Sequence, residues 1–94
     1  MREGVPMIVR KRGHETQGAI VLKIDRCDGT AQVLAQARMD DEIVWNPING
    51  NATLPEAEAE KIFLRQAEID PDLWLVEIED KQGRPWFPGR VVKL

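Results

Sequence analysis

Two stretches of alternation frame the chain. In Ala19–Arg26 the residues Ile20, Leu22 and Ile24 share one face while Val21, Lys23 and Asp25 share the other, the period of a half-buried strand. In Leu73–Asp80 the residues Trp74, Val76 and Ile78 oppose Leu75, Glu77 and Glu79 in the same way. After the first stretch, Asp28-Gly29 predicts a hairpin, because glycine supplies the positive φ of a tight turn. The chain then returns through Ala31–Met39, whose face of Ala31, Val33, Ala35, Ala37 and Met39 is apolar but small and suits a closely approaching cover. Val5–Arg10 predicts an earlier strand. Ile43–Trp45 predicts a later one, which Pro47 and Asn49-Gly50-Asn51 are expected to stop. These four segments are expected to form a meander, and Ile20–Ile24 and Trp74–Ile78 to lie as neighbours beneath a helix.

The period changes near residue 53. Thr53-Leu54-Pro55-Glu56 has the form of a helix start, with a threonine cap, proline in the first turn and Glu56 reaching back. The spacing predicts a helix from about Leu54 to Ile69. Its stripe of Ala59, Ile62, Phe63 and Gln66, with Ala67 and Ile69 at the edges, should pack on the sheet. Burying Ile62 and Phe63 contributes about 1.5–3 kcal/mol each, more than the ~1 kcal/mol of the cap. Leu64 points away from that stripe, as a solitary exposed leucine or part of a contact surface. Asp70-Pro71-Asp72 ends the helix, and Lys81-Gln82-Gly83 reads as a hairpin turn. The tail, with Pro85 and Pro88, is limited to a short edge strand near Val91-Val92. The predicted class is α+β, one domain over 1–94: an antiparallel sheet of about five strands with one principal amphipathic helix packed on one face.

Composition narrows the picture. The 94 residues suffice for one core, and the longest aliphatic run, Ala19–Leu22, is far too short to span a bilayer, so no membrane partner is expected. The amino-terminal residues carry no secretion signal, so a cytoplasmic location is expected. The single Cys27 rules out an internal disulfide and a cysteine-rich zinc site. The net charge of −3 conceals segregation: +3 over residues 1–26, −10 over 27–80 and +4 over 81–94. Either the basic ends neutralise the acidic middle, or they form a face for an anionic partner.

Val9-Arg10-Lys11-Arg12-Gly13, Gly18–Ile24 and Asp28-Gly29-Thr30-Ala31, followed by Asp70-Pro71-Asp72-Leu73-Trp74 and the acidic strand to Asp80, resemble an uncharacterised family of small alphaproteobacterial proteins. This is the 1491 family of domains of unknown function. The resemblance spans most of the chain, and the Asp-Pro-Asp-Leu-Trp stretch is its most specific part. It implies a bacterial cytoplasmic protein and no assigned chemistry. Family members carry a helix before the segment matching Glu3-Gly4-Val5-Pro6, for which this chain has no residues; an apolar strip near Val5, Met7 and Val9 is then expected to be exposed. A homodimer or a protein partner covering Val5–Val9 would bury it.

Catalytic candidates are few. The chain has no serine, no tyrosine and one histidine, His14, whose His14-Glu15 pair lacks the second histidine of a zinc-protease helix. Acidic runs lack calcium-loop spacing and the glycines lack phosphate-loop spacing, so no catalytic residue, metal or cofactor is assigned. Arg65 is expected to reach Asp70 or Asp72 and pin the helix exit, with Trp74 structural in the strand that follows. The candidate contact surface is Arg10, Arg12, His14, Arg26, Arg84, Trp86, Phe87 and Arg90, although Trp86 also suits ordinary cover over the sheet edge. The leading expectation is a small non-enzymatic binding or assembly module. Its alternatives are a nucleic-acid or other polyanion binder using the basic ends, and a small enzyme using carboxylates or Cys27.

Overall fold

The computed structural model describes residues 6–51 and 53–92. In chain order the elements are β1 (Met7–Lys11), β2 (Ile20–Asp25), β3 (Thr30–Met39), β4 (Glu42–Asn51), β5 (Leu54–Pro55), α1 (Glu56–Ile69), β6 (Trp74–Glu79) and β7 (Arg90–Val91). They form one sheet in the order β1-β6-β2-β3-β4-β7, with β5 paired to β3. The α+β class holds, but the sheet has seven strands and is mixed rather than purely antiparallel.

Both turns that the sequence placed between β2 and β4 are present. Cys27 and Gly29 have positive φ in the first, while in the second Asp40 and Asp41 both do, as a two-residue primed turn requires. Asp28 Oδ1 accepts from Thr30 N and Oγ1 and steadies the first turn. From β2 to β4 the chain is therefore a meander. β1 departs from it: rather than pairing with β2, it pairs antiparallel with β6. The chain leaves β4, crosses the sheet through α1 and inserts β6 between β1 and β2, which makes β2 and β6 parallel neighbours with Leu22 opposite Val76. Alternation cannot encode such a crossover, since a strand reads the same in either direction.

Three local expectations are corrected. β4 continues through Pro47 to Asn51, because Pro47 lies beyond the stretch that β7 covers and its missing N–H forfeits no bond on that open side. The helix begins at Glu56 with no side-chain cap, because Leu54 and Pro55 pair with β3 and Glu56 N donates to Gly29 O at 2.9 Å, replacing the Thr53 capping box. Lys81-Gln82-Gly83 does turn, with Gly83 at φ 72°, but it opens no hairpin, since β7 pairs in parallel with β4.

The sheet is apolar on both faces. Helix α1 lies over Val21, Ala31, Val33 and Leu75, meeting them with buried Ala59 and Phe63 and half-buried Ile62 and Ala67. The larger side chains Leu22, Ile24, Leu34, Trp45, Val76 and Ile78 are on the opposite face, covered by Trp86, Phe87 and Val91 from the carboxyl-terminal segment. The two alternating runs are neighbours, as the sequence predicts, but their larger apolar faces turn away from the helix. The small residues of β3 lie beneath it instead, since a helix needs close approach. Ile69, assigned to an edge of the packed stripe, is 71% exposed.

Candidate functional site

Lys23 lies on the helix face of β2, between buried neighbours, and is 1% exposed. Burial of an ammonium is costly unless paired, and α1 supplies the pairing. Glu56 and Glu60, one helical turn apart, accept from Lys23 Nζ at 2.8 and 2.7 Å, while Glu77 on β6 lies at 3.6 Å. Arg10 on β1 extends the group, binding Glu60 and donating to Glu77 at 2.6 Å while its guanidinium lies over the Phe63 ring. Burial alone would lower the Lys23 pKa, but its bonds to Glu56 and Glu60 and the charge of Glu77 outweigh that and hold it above the ordinary value. The bond from Arg10, against desolvation and aided by Lys23, brings Glu60 down to about 2. This charged belt fastens helix to sheet. The sequence reading missed it, and its signal was a lysine sharing a face with Val21 together with acids spaced one turn apart.

The segments that carry the family resemblance meet in space. His14 N donates to Asp72 O at 2.9 Å, Trp74 Nε1 donates to His14 O at 2.9 Å, and Lys11 Nζ donates to Pro71 O at 2.6 Å. A Cβ on either Gly13 or Gly18 would collide with the Asp72 carbonyl, so glycine at both positions permits the contact. His14 Nδ1 accepts from Thr16 N and Gln17 N, which folds the ring back onto its own loop. Arg12 covers the Trp74 ring at 5.7 Å. Arg65 pairs with neither Asp70 nor Asp72 among the described residues. The turn is held by Asp70 Oδ1 accepting from Asp72 N and by the Lys11 contact, which a lysine on a neighbouring strand can reach directly.

At the other end of the sheet, Asp80 gathers the carboxyl-terminal segment. Its carboxylate accepts from Gln82 N, Arg84 N, Arg84 Nε and Trp86 Nε1. The bond from Arg84, followed by those from Gln82 and Trp86, holds its pKa well below the usual carboxylate range despite burial. Trp86 is thereby turned onto the sheet at φ 60°, with Arg84 stacked on it at 4.5 Å. Phe87 meets Trp45 edge to face at 5.8 Å, and Trp45 Nε1 donates to Pro88 O. Arg26 donates to Lys81 O, and Arg90 pairs with Glu42 at 2.9 Å.

The eight candidate contact residues thus fall into separate groups: Arg10 beside the helix, Arg12 and His14 against Trp74, Arg26 with Arg84 and Trp86 around Asp80, and Phe87 with Arg90 beside β4. Among the described residues, the ion pairs all join a basic residue from the first 26 or last 14 positions to an acid of the middle segment. Cys27 is exposed in its turn, and local desolvation followed by the carboxylates of Asp25 and Glu79 pushes its thiol pKa up, away from thiolate chemistry. No group of three or more His, Cys, Asp or Glu side chains among the described residues is placed to hold a metal ion. No helix among them is long and apolar enough to cross a membrane.

Met39, Leu64 and Ile69 are exposed singly, whereas three consecutive exposed apolar residues lie together on β1. Its neighbour on one side is β6 and its other side is the rim of the sheet. Met7, Ile8 and Val9 are 41%, 54% and 49% exposed. Pro6 precedes them and a register irregularity follows between Val9 and Lys11, which confines the open stretch to these residues. Val5, expected in the same strip, and Glu3-Gly4, where the family helix was expected to join, lie outside the described residues.

A family model described as "Protein of unknown function (DUF1491)" matches residues 1–88. The crystal structure of a DUF1491 family protein from Caulobacter crescentus is 34% identical, with a TM-score of 0.80, covering 95% of this chain and 83% of that one. An NMR structure of a family member from the same organism is 35% identical, with a TM-score of 0.78 and coverages of 96% and 82%. A solution structure of a protein from A. tumefaciens is 27% identical, with a TM-score of 0.67 and coverages of 81% and 70%. None of the curated proteins matches the chain.

Proposed function

Because the chain belongs to the DUF1491 family, whose function is unknown, we propose a role from its own geometry: a small non-enzymatic assembly module that pairs with a second copy of itself along the open edge of β1. The observation that carries this reading is the apolar run Met7-Ile8-Val9 on an unpaired rim. Charged side chains ordinarily guard such a rim. Here Arg10 is held to Glu60 of α1 and Glu77 of β6, and Lys11 is bound to the carbonyls of Arg12, Pro71 and Leu73. The charges nearest the rim are already paired within the chain.

A second copy fits because an antiparallel edge is self-complementary: a two-fold axis at Ile8 sets Met7 opposite Val9 and sends the two Arg10-Lys11-Arg12 clusters to opposite ends. Parallel pairing would set like charges side by side. The polyanion reading has less support, since Arg10, Arg84 and Arg90 each already hold a carboxylate of the same chain. Sedimentation across a concentration series tests the proposal. Reversible dimerisation is expected, abolished by Ile8→Lys with the urea midpoint unchanged at a dilution where wild type is monomeric, whereas a wild-type monomer at high micromolar concentration overturns it.

A further inference from the structure

The strands of the central hairpin are unequal. β2 pairs with β3 only as far as Val21 opposite Ala35, whereas β3 continues to Met39 against β4 alone. Beside this overhang lies an open cleft of ≈ 380 Å³ lined by Thr16, Gln17, Gly18 and Ala19 on one side and Gln36, Ala37, Arg38 and Ile43 on the other.

The direction of the β3 backbone in this cleft follows from the far side of the sheet. Val92 N donates to Trp45 O, and Trp45 lies opposite Val91 in a parallel ladder, so Trp45 turns its backbone groups toward β7. Its antiparallel partner Gln36 is therefore in a non-hydrogen-bonded pair with β4. By alternation Ala37 faces Val44 with its backbone bonds, and Arg38, opposite Ile43, directs its N–H and C=O away from β4 into the cleft. Nearer β2 the ladder already ends on a side chain, Gln36 Oε1 accepting from Ile20 N at 3.0 Å. The exposed Arg38 guanidinium has no ion pair or side-chain hydrogen bond among the described residues.

We propose that this cleft docks a short extended peptide bearing one carboxylate, which adds to the sheet along Arg38 where β2 leaves off. Arg38 supplies a backbone donor and acceptor at strand spacing together with a free cation for the carboxylate. The opposite wall is built before any ligand arrives: His14 O accepts from Gly18 N and Trp74 Nε1, and Gly18 is seated against the Asp72 carbonyl. Asp40 and Asp41, in the turn that follows Arg38 and Met39, disfavour a ligand carrying a run of acids. The site includes no residue of β1 and does not depend on self-pairing.

The test is an amide chemical-shift titration of the labelled full chain with acetyl-Val-Glu-Val-amide, its Gln counterpart and sodium acetate. Saturable shifts are expected at Gln17, Gly18 and Gln36–Arg38, with the Gln peptide binding about tenfold more weakly. In Arg38→Gln, with an otherwise native spectrum, the two peptides should bind equally; in Ile8→Lys the preference should persist. Absence of saturable shifts, shifts centred elsewhere, equal wild-type binding of both peptides, or acetate reproducing the whole effect would each overturn the proposal.

Discussion

Glu60 holds the two cations that fix α1 to the sheet, Arg10 and Lys23, and its proton affinity differs sharply between folded and unfolded chains. The folded value is about 2 against an ordinary 4.5, so the unfolded chain binds the proton first as acid is added. Its contribution to stability is complete above about pH 4.5 and is lost as the pH falls toward 2. Urea unfolding from pH 6 to about pH 2.5 should show stability falling more steeply in wild type than in Glu60→Gln. Equal slopes would mean that the carboxylate is no better paired in the native state than outside it. This residue-level arrangement was only half legible in the sequence. The segregation of charge was compatible with pairing between ends and middle as well as with an anion-binding face. Lys23 among apolar neighbours, with acids one turn apart, hinted at a buried pair, but neither signal says which elements the fold will bring together.

The six residues from Gly13 to Gly18 show what turn residues reveal and what they conceal. Glycine at both ends marked a loop, and Asp70-Pro71-Asp72 marked a helix stop; that the two should touch was not visible, because their contact spans more than fifty positions. In Gly18→Ala the new methyl group meets the Asp72 carbonyl, and the loss is expected at about 1–3 kcal/mol by urea denaturation, since backbone cannot yield as a flexible side chain can. Gly29→Ala meets open space and should cost about 1 kcal/mol through its positive φ alone. The helix was legible in its period and packed stripe. Its first turn was not, because pairing of Leu54-Pro55 with β3 replaced the cap that Thr53 advertised.

Across the whole molecule the sheet has two covered faces, and only one of the covers is a helix. The other is an irregular strap with little regular structure of its own, held by Asp80 at its start and by Trp86, Phe87 and Val91 along its length. A chain ended at Gln82 should retain the sheet and helix signature in far-ultraviolet dichroism, yet bind a hydrophobic dye strongly, because Leu22, Ile24, Trp45 and Ile78 lose their cover. A truncated chain that stays dye-silent would show that the strap is dispensable. Alternation identified the strands, but it treats the two directions of a strand alike, and so the crossover, the parallel β2–β6 pair and the choice of face beneath the helix awaited three dimensions.

The place of β6 has a consequence for how the protein comes into being. It is the neighbour that both β1 and β2 require, yet it occupies positions 74–79, so every element from β1 to α1 has left the ribosome before the sheet can close. Hairpins from β2 to β4 can assemble as they emerge, but β1, translated before them, waits longer for its partner. During that interval Met7-Ile8-Val9 is bare on both sides, and the same three residues that offer a rim in the finished molecule are, in the nascent one, an opening for sister chains and holdases.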